Sequence, residues 1–271
     1  VTSNSGVSNS YLYRMDLIRF QPVPALAPFV KGYIVIESQT ELVNRVLPDT
    51  SIAIAFQFRG RVNYLVDQNT SSIPVVSISG LRKSNRLINY TPNTSALIVQ
   101  FKPGGAAPFF TSPMNELFGE TTSLENVIGI QRAVTIQEQL AESVDNRKRI
   151  SIVENFLLSS LKVNKTDMLI ATAVNKINFA NGNVKIKSLA SDLCISHDAF
   201  EKRFRKIIGA TPKQFASIVR MNAIIQQHLA NRRLKSIAFD AGYFDQPHFN
   251  KEFKLFTGQT PTDFLRSYVG W

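Results

Sequence analysis

Cysteine and histidine are almost missing from this sequence: Cys194 stands alone, and His197, His228 and His248 are the only histidines in 271 residues. A single thiol excludes any disulfide within the chain, which fits a reducing compartment. All of these residues lie beyond position 166, so residues 1–166 offer neither of the side chains that usually hold zinc, iron or copper. An enzyme using a metal in that part would have only carboxylates to bind it. Long apolar runs are absent as well. The stretch 51–58 falls far short of the roughly 20 residues needed to cross a bilayer, so no membrane association is expected. Residues 1–10, rich in Ser and Asn, lack the basic start and apolar centre of a secretory signal. The expectation is a cytoplasmic protein with a loose N-terminal tail. No nucleophile triad or carboxylate pair stands out, so the chain is not read as an enzyme, and no cofactor is expected.

What the sequence does contain is positive charge, unevenly placed. The net charge is +11, and residues 167–271 carry 15 Lys and Arg against 8 Asp and Glu, whereas residues 1–166 carry 16 against 12. The shorter C-terminal part is the denser cation, which suits nucleic acid or an anionic surface without specifying either.

Up to about residue 102, short β-branched and aromatic segments alternate with turn residues, predicting strands at 14–20, 32–38, 51–58, 62–66, 75–79 and 96–101. A β-sandwich or small barrel follows. Pro103-Gly104-Gly105 breaks the last strand, and from residue 106 the pattern turns helical, with apolar residues three and four apart at 130–141 and 147–161. From 167 onward everything reads as short helices. The expected organisation is an α+β chain in two domains: a β-rich regulatory domain over 1–125, a helical bridge or dimer surface over 126–166, and an all-α domain over 167–271.

That last domain repeats itself. SLASDLCISHDAFEKRFRKIIGATPKQF begins at Ser188, and SIAFDAGYFDQPHFNKEFKLFTGQTPTDF begins at Ser236. Each copy predicts a short helix with a small residue at a helix crossing (Ala190, Ala238), a tight turn at which Gly242 takes positive φ, and a second helix. Phe200 and Phe204, like Phe249 and Phe253, are four apart and share one buried face. Ser196 and Asp245 are predicted N-caps. The opposite faces carry His197, Asp198, Glu201, Lys202 and Arg205 in the first copy, and Gln246, Pro247, His248, Asn250, Lys251 and Lys254 in the second. These residue types read grooves and hold phosphates. Each copy closes with Gly-x-Thr-Pro, where glycine ends one helix and proline starts the next. A helix over 212–230, about 27 Å long, would set two reading helices nearly one DNA turn apart.

Leu189-Ala190, Phe200, Phe204 and Gly209-x-Thr-Pro212, followed by Ile237-Ala238, Gly242-Tyr243, Phe249, Phe253-Lys254, Gly258 and Pro261, resemble the AraC family of bacterial regulators. The resemblance implies two helix-turn-helix units, insertion of one or both recognition helices into the major groove, and transcription control through contact with RNA polymerase. Two positions depart from it: Cys194 stands where the family often has glycine, and Pro247 where it often has serine. Leu47-Pro48-Asp49, Ser79-Gly80-Leu81-Arg82 and the run at 96–110 resemble an uncharacterised cupin-like domain that precedes such DNA-binding domains. That likeness implies sensing of a small-molecule effector or formation of a homodimer.

Two rival readings are an enzyme with a DNA-targeting tail, which would need a catalytic constellation in the β domain, and an architectural binder indifferent to sequence. Cys194 is expected to be a small packing residue in apolar surroundings rather than a reactive thiol. Pro103-Gly104-Gly105 is expected to be a structural turn rather than an anion nest. Arg147-Lys148-Arg149 is expected to be a solvated helix start.

Overall fold

The computed structural model describes residues 15–66, 69–162, 166–231, 243 and 245–268. In chain order the strands are β1 (Met15–Phe20), β2 (Val30–Ser38), β3 (Leu42–Val46), β4 (Ala53–Arg59), β5 (Val62–Val66), β6 (Asn69–Ser72), β7 (Val76–Ser79), β8 (Arg86–Tyr90), β9 (Thr94–Phe101) and β10 (Thr121–Ser123). They form two antiparallel sheets, one ordered β1-β2-β9-β4-β7-β10 and the other β3-β8-β5-β6. Among the described residues no strand belongs to both sheets, so the expected barrel or sandwich is an open pair of sheets. The six segments predicted from the sequence are strands within two or three residues at each end. β3, β6, β8 and β10 add to them.

Alternation along the larger sheet separates two environments. Tyr33 and Val35 on β2, Ile54 and Phe56 on β4, and Leu97, Val99 and Phe101 on β9 point into one large core shared with the helices. Their neighbours Ile34 and Ile36 pack with Val62, Ile73 and Tyr90 in a second, small core facing the other sheet. A period of two places consecutive side chains on opposite faces, so both faces of this sheet are covered.

The region after β9 departs from the helical expectation. Two 3-10 turns, Ala107–Phe109 and Met114–Leu117, and strand β10 come first. Prolines at 103, 108 and 113 recur too closely for a longer helix there. Gly105 holds the Pro103-Gly104-Gly105 turn against the sheet, since a Cβ on it would sit 2.1 Å from the Phe29 carbonyl oxygen.

Helices then follow as α1 (Glu125–Ile128), α2 (Ile130–Ala141), α3 (Asn146–Ser160), α4 (Met168–Phe179), α5 (Ile186–Asp192), α6 (His197–Ile208), α7 (Pro212–Asn231), α8 (Gln246–Thr257) and α9 (Pro261–Tyr268). The apolar stripes of α2 and α3 (Ile136, Leu140, Ile150, Val153 and Leu157) are buried in the large core rather than left open. Arg149 corrects the expectation of a solvated cluster. Its guanidinium donates to the carbonyls of Ser143 (2.5 Å) and Leu140 (3.4 Å) and to Asn146 Oδ1 (2.9 Å), and lies 4.5 Å from the centroid of the Phe58 ring. The return of the chain from α2 turns the Leu140 and Ser143 carbonyls toward α3, and Arg149 donates to both. Arg147 and Lys148 remain exposed.

Among the described residues, no helix is long and apolar enough to cross a membrane.

Candidate nucleic-acid interface

The first unit is α5, a turn and α6. Leu189 and Ala190 of α5 are buried, so α5 can cross α6 closely. In the turn, Cys194 has φ 54°, a left-handed conformation that glycine adopts freely and other residues adopt at a cost. Its thiol is exposed, which overturns the expectation of a buried packing residue. The backbone has to turn in this way whatever the side chain, and the turn pushes Cβ outward to solvent.

Ser196 then caps α6, its Oγ accepting from the Ala199 N–H at 3.3 Å. Phe200 and Phe204 are buried and meet edge to face at 5.6 Å between centroids, and Phe204 meets Phe215 of α7 in the same way. Burying each ring is worth about 1.5–3 kcal/mol, so the inner face of α6 is firmly held. On the outer side Asp198, Lys202 and Arg205 are exposed, and His197 and Glu201 are half-buried. His197 Nδ1 lies 3.4 Å from Asp198 Oδ1.

Two further cations on α6 carried no sequence signal that separated them from ordinary solvated charge. Lys206 is exposed beside Arg205. Arg203 is exposed too, but its Nε donates to Asp167 at 2.7 Å, and Asp167 also caps α4 through the Ile170 N–H.

The second unit presents α8. Asp245 Oδ1 accepts from the His248 N–H at 2.7 Å, the predicted cap. Phe249 and Phe253 are buried against Tyr243 and Phe264, while Gln246, Pro247, His248, Asn250, Lys251 and Lys254 are all exposed. Pro247 falls in the first turn of the helix, where its missing N–H costs nothing. The short helix expected before α8, with Ala238 and Gly242, falls outside the described residues, as does the side chain of His228.

α6 and α8 end alike. Gly209 (φ 91°) and Gly258 (φ 78°) are left-handed C-caps, and Pro212 and Pro261 begin the next helices. α7, with 20 residues, spans about 30 Å between the units. A buried-edge network fastens α7 to the second unit around Glu252. Ser217 Oγ donates to it at 2.9 Å, the Tyr243 hydroxyl donates at 2.5 Å, and the Arg220 guanidinium lies 3.7 Å away and over the Tyr243 ring. Burial, together with the bond to Glu252, raises the Tyr243 pKa well above its ordinary value, so the phenol stays protonated and keeps donating.

The β domain touches both reading helices at their C-terminal ends, a feature that sequence reading missed. At α6, a Cβ on Gly104 would meet Ile207 and Ile208 at 3.2 and 3.4 Å, and one on Gly209 would meet the Met114 carbonyl oxygen at 3.0 Å. At α8, Arg45 donates to the Thr257 carbonyl (3.4 Å) and to Asn85 Oδ1 (3.0 Å), while the Asn85 N–H and Nδ2 donate to the Leu255 carbonyl. A cation at a helix C-terminus opposes the negative end of the helix dipole. Among the described residues, no three His, Cys, Asp or Glu side chains gather in a metal-binding group.

Residues 18–123 match a family model described as a domain of unknown function (DUF6597), and residues 189–267 match one described as a helix-turn-helix domain. Similar solved structures include wild-type ToxT from Vibrio cholerae strain SCE256 bound to an unsaturated fatty acid. It has 11% identity and a TM-score of 0.41 over 96% of this chain and 97% of that one. A 1.65 Å structure of ToxT from Vibrio cholerae has 8% identity and a TM-score of 0.45 over 94% and 98%. The AraC-like transcriptional activator CuxR has 12% identity and a TM-score of 0.30 over 82% and 84%. No match was found among curated proteins.

Proposed function

We propose that this chain, which ends in a helix-turn-helix domain of the AraC type and carries a β-rich domain ahead of it, is a sequence-specific DNA-binding transcription regulator acting in the cytoplasm. The observation that carries the reading is the matched pair of α6 and α8. Each has 12 residues, a side-chain N-cap and a glycine C-cap, anchors itself by buried phenylalanines four apart, and turns polar and basic side chains outward. One chain therefore supplies two readers joined by α7, whose length suits two successive major-groove segments. His197, Asp198, Glu201, Lys202 and Arg205 would face one segment, and Gln246, Pro247, His248, Asn250, Lys251 and Lys254 the other.

In this reading residues 167–271 are the reader, 1–125 sense a small organic effector, and 126–166 bridge them. The chain is a regulator and not an enzyme, and it acts on RNA polymerase. A homodimer would have to use what α2 and α3 leave open, such as Ile130, Val134 and Leu158, since their main stripes are spent inside the chain. The test is selection of bound DNA from a random library with the full chain. The expected product is an asymmetric site of about 15–20 base pairs with two informative patches roughly one turn apart, each mismatch costing about 1–3 kcal/mol. Recovery of no enriched sequence would overturn the proposal.

A further inference from the structure

Small side chains on the second face of the larger sheet leave a hollow. Ile52, Ile54 and Phe56 fill the main core, whereas Ser51, Ala53 and Ala55 between them face the other sheet, as does Ala96 on β9. The result is a cavity of about 180 Å³ between the sheets, with Ile36, Val62, Ile73, Ile88 and Ile98 as its apolar wall. Apolar side chains of ordinary size would close such a gap, and a void of this volume is costly when empty.

The cavity is charged on one side. Arg82 and Arg86 both line it, and among the described residues the only carboxylate that lines it is Asp49. Asp49 is already engaged at the rim, 3.5 Å from the Lys31 ammonium and accepting from the Thr50 N–H. Arg86 is committed to Tyr64 Oη (2.5 Å), Thr121 Oγ1 (2.6 Å) and the Gly119 carbonyl. Arg82 reaches the Val46 and Leu47 carbonyls through one nitrogen, but its Nε is buried without a hydrogen-bond partner, and so is Ser51 Oγ. Burial, with Arg86 beside it, lowers the Arg82 pKa to about 10, so the guanidinium is still charged at neutral pH. The lining thus holds two arginines whose charge Asp49 offsets only in part, and two unmatched polar groups, facing the isoleucines across walls that also carry Gln57, Tyr64, Ser77, Ser79, Tyr90 and Gln100. Leaving such groups buried and unmatched is unfavourable, and a ligand that satisfies them recovers the loss.

We propose that this cavity binds a small organic carboxylate, its charge held on the Arg82 and Arg86 side and its apolar body among the isoleucines. The unmatched Arg82 Nε and Ser51 Oγ can both donate, which suits the two oxygens of a carboxylate. The volume is close to that of a dry cavity of about 150 Å³ that accepts benzene, which sets the size at one ring or a short branched chain. The site is also wired to the second reader. Arg82 ties its own loop to the end of β3, and between Arg82 and Arg86 lies Asn85, which with Arg45 of β3 holds the C-terminus of α8. An anion that draws Arg82 off the Val46 and Leu47 carbonyls loosens the strand end carrying Arg45, and so changes how α8 is presented. This last step rests on the regulator reading, whereas the binding itself does not.

The full chain is titrated calorimetrically with benzoate, cyclohexanecarboxylate and 3-methylbutanoate, and with benzyl alcohol as the neutral counterpart of benzoate. At least one carboxylate is expected to bind with one site per chain, at least tenfold more tightly than benzyl alcohol, and to raise the melting temperature. Arg82→Gln should reduce that preference for the anion to less than threefold. Because Arg82 also braces β3, Ala55→Leu serves as the companion variant: it fills the cavity, keeps both arginines, and should abolish binding while the chain remains folded. No titration by any carboxylate, equal binding of benzyl alcohol, or full binding by Ala55→Leu overturns the site. With DNA recovered from the random library, a saturating carboxylate should change affinity at least threefold. Carboxylate binding by a chain that selects no DNA would uphold the site and sink the regulator reading. Selected DNA with no carboxylate titration would do the reverse.

Discussion

Cys194 sits at φ 54° with an exposed thiol, so its backbone is held in a region where a side chain costs roughly 1–2 kcal/mol. Cys194→Gly removes that cost but adds freedom to the unfolded chain, for a net gain of up to about 1 kcal/mol. Thermal melting is expected to show the glycine variant at least as stable as the parent and Cys194→Val less stable. In the folded parent the thiol should react with a disulfide reagent at the rate of an accessible cysteine, and a protected thiol would show the turn to be wrong. Lys202 and Lys251 pose a different question at the same scale, because each stands on an exposed face opposite buried rings. A phosphate contact predicts that Lys202→Ala weakens all sites alike and reduces the salt slope by about one. A base contact predicts relaxed preference at one position, by about 1–3 kcal/mol. The same pair of outcomes applies to Lys251→Ala, and unchanged binding in both would remove these lysines from the interface.

Among elements, α4 packs against α7, and Gly182 permits the approach. Gly182 has φ 76°, donates to the Ile177 carbonyl as it ends α4, and lies so near α7 that a Cβ would stand 2.2 Å from the Ala216 carbonyl oxygen. Backbone cannot swing aside as a side-chain tip can. Gly129 has a similar φ of 87° but nothing within 4 Å. With ψ 149° it lies in a region that is almost glycine's alone, so Gly129→Ala should cost only that backbone strain, about 1–3 kcal/mol. Gly182→Ala should add overpacking of about 1–3 kcal/mol, visible as an earlier denaturant midpoint and a parallel loss of DNA affinity. A Gly182→Ala cost of no more than about 1–2 kcal/mol, the backbone strain alone, would mean that Gly182 and α7 are not this close. The missed strands belong to this scale also. β6 reads Asn-Thr-Ser-Ser and is wholly exposed, so it has no apolar alternation to detect, and it exists because its backbone pairs with β5. β10 is three residues long and is a strand only through its pairing with β7.

For the molecule as a whole, the β domain braces both reading helices by their C-terminal ends, so the relation between the two readers depends on more than α7. Arg45→Ala with Asn85→Ala removes the side-chain hold on α8, leaving the bond from the residue 85 N–H to the Leu255 carbonyl, and leaves α6 with its contacts to Gly104 and Met114. Footprinting of the full double variant should show weakened or shifted protection over the patch read by α8 and unchanged protection over the other. Uniform loss over both patches would point to a general destabilisation instead, and a full melting curve of the same variant tells the two apart.

The reader was legible from sequence because its signals are local. The caps at Ser196 and Asp245, the phenylalanines four apart, and the Gly-x-Thr-Pro endings act within one or two helical turns, where neighbours along the chain are neighbours in space. The same holds for the strands whose apolar alternation is strong. Other features join residues far apart in sequence, and the tertiary structure alone decided them. Arg45 meets Thr257 across 212 positions and Asn85 meets Leu255 across 170. The side of the sheet that keeps a hollow depends on which small residues of β4 and β9 end up facing β8. Arg149 looked like surface charge until the return from α2 brought the Ser143 and Leu140 carbonyls and the Phe58 ring around it. A side chain's own sequence neighbourhood fixes its local geometry, but burial and charge balance are set by what the rest of the chain folds against it.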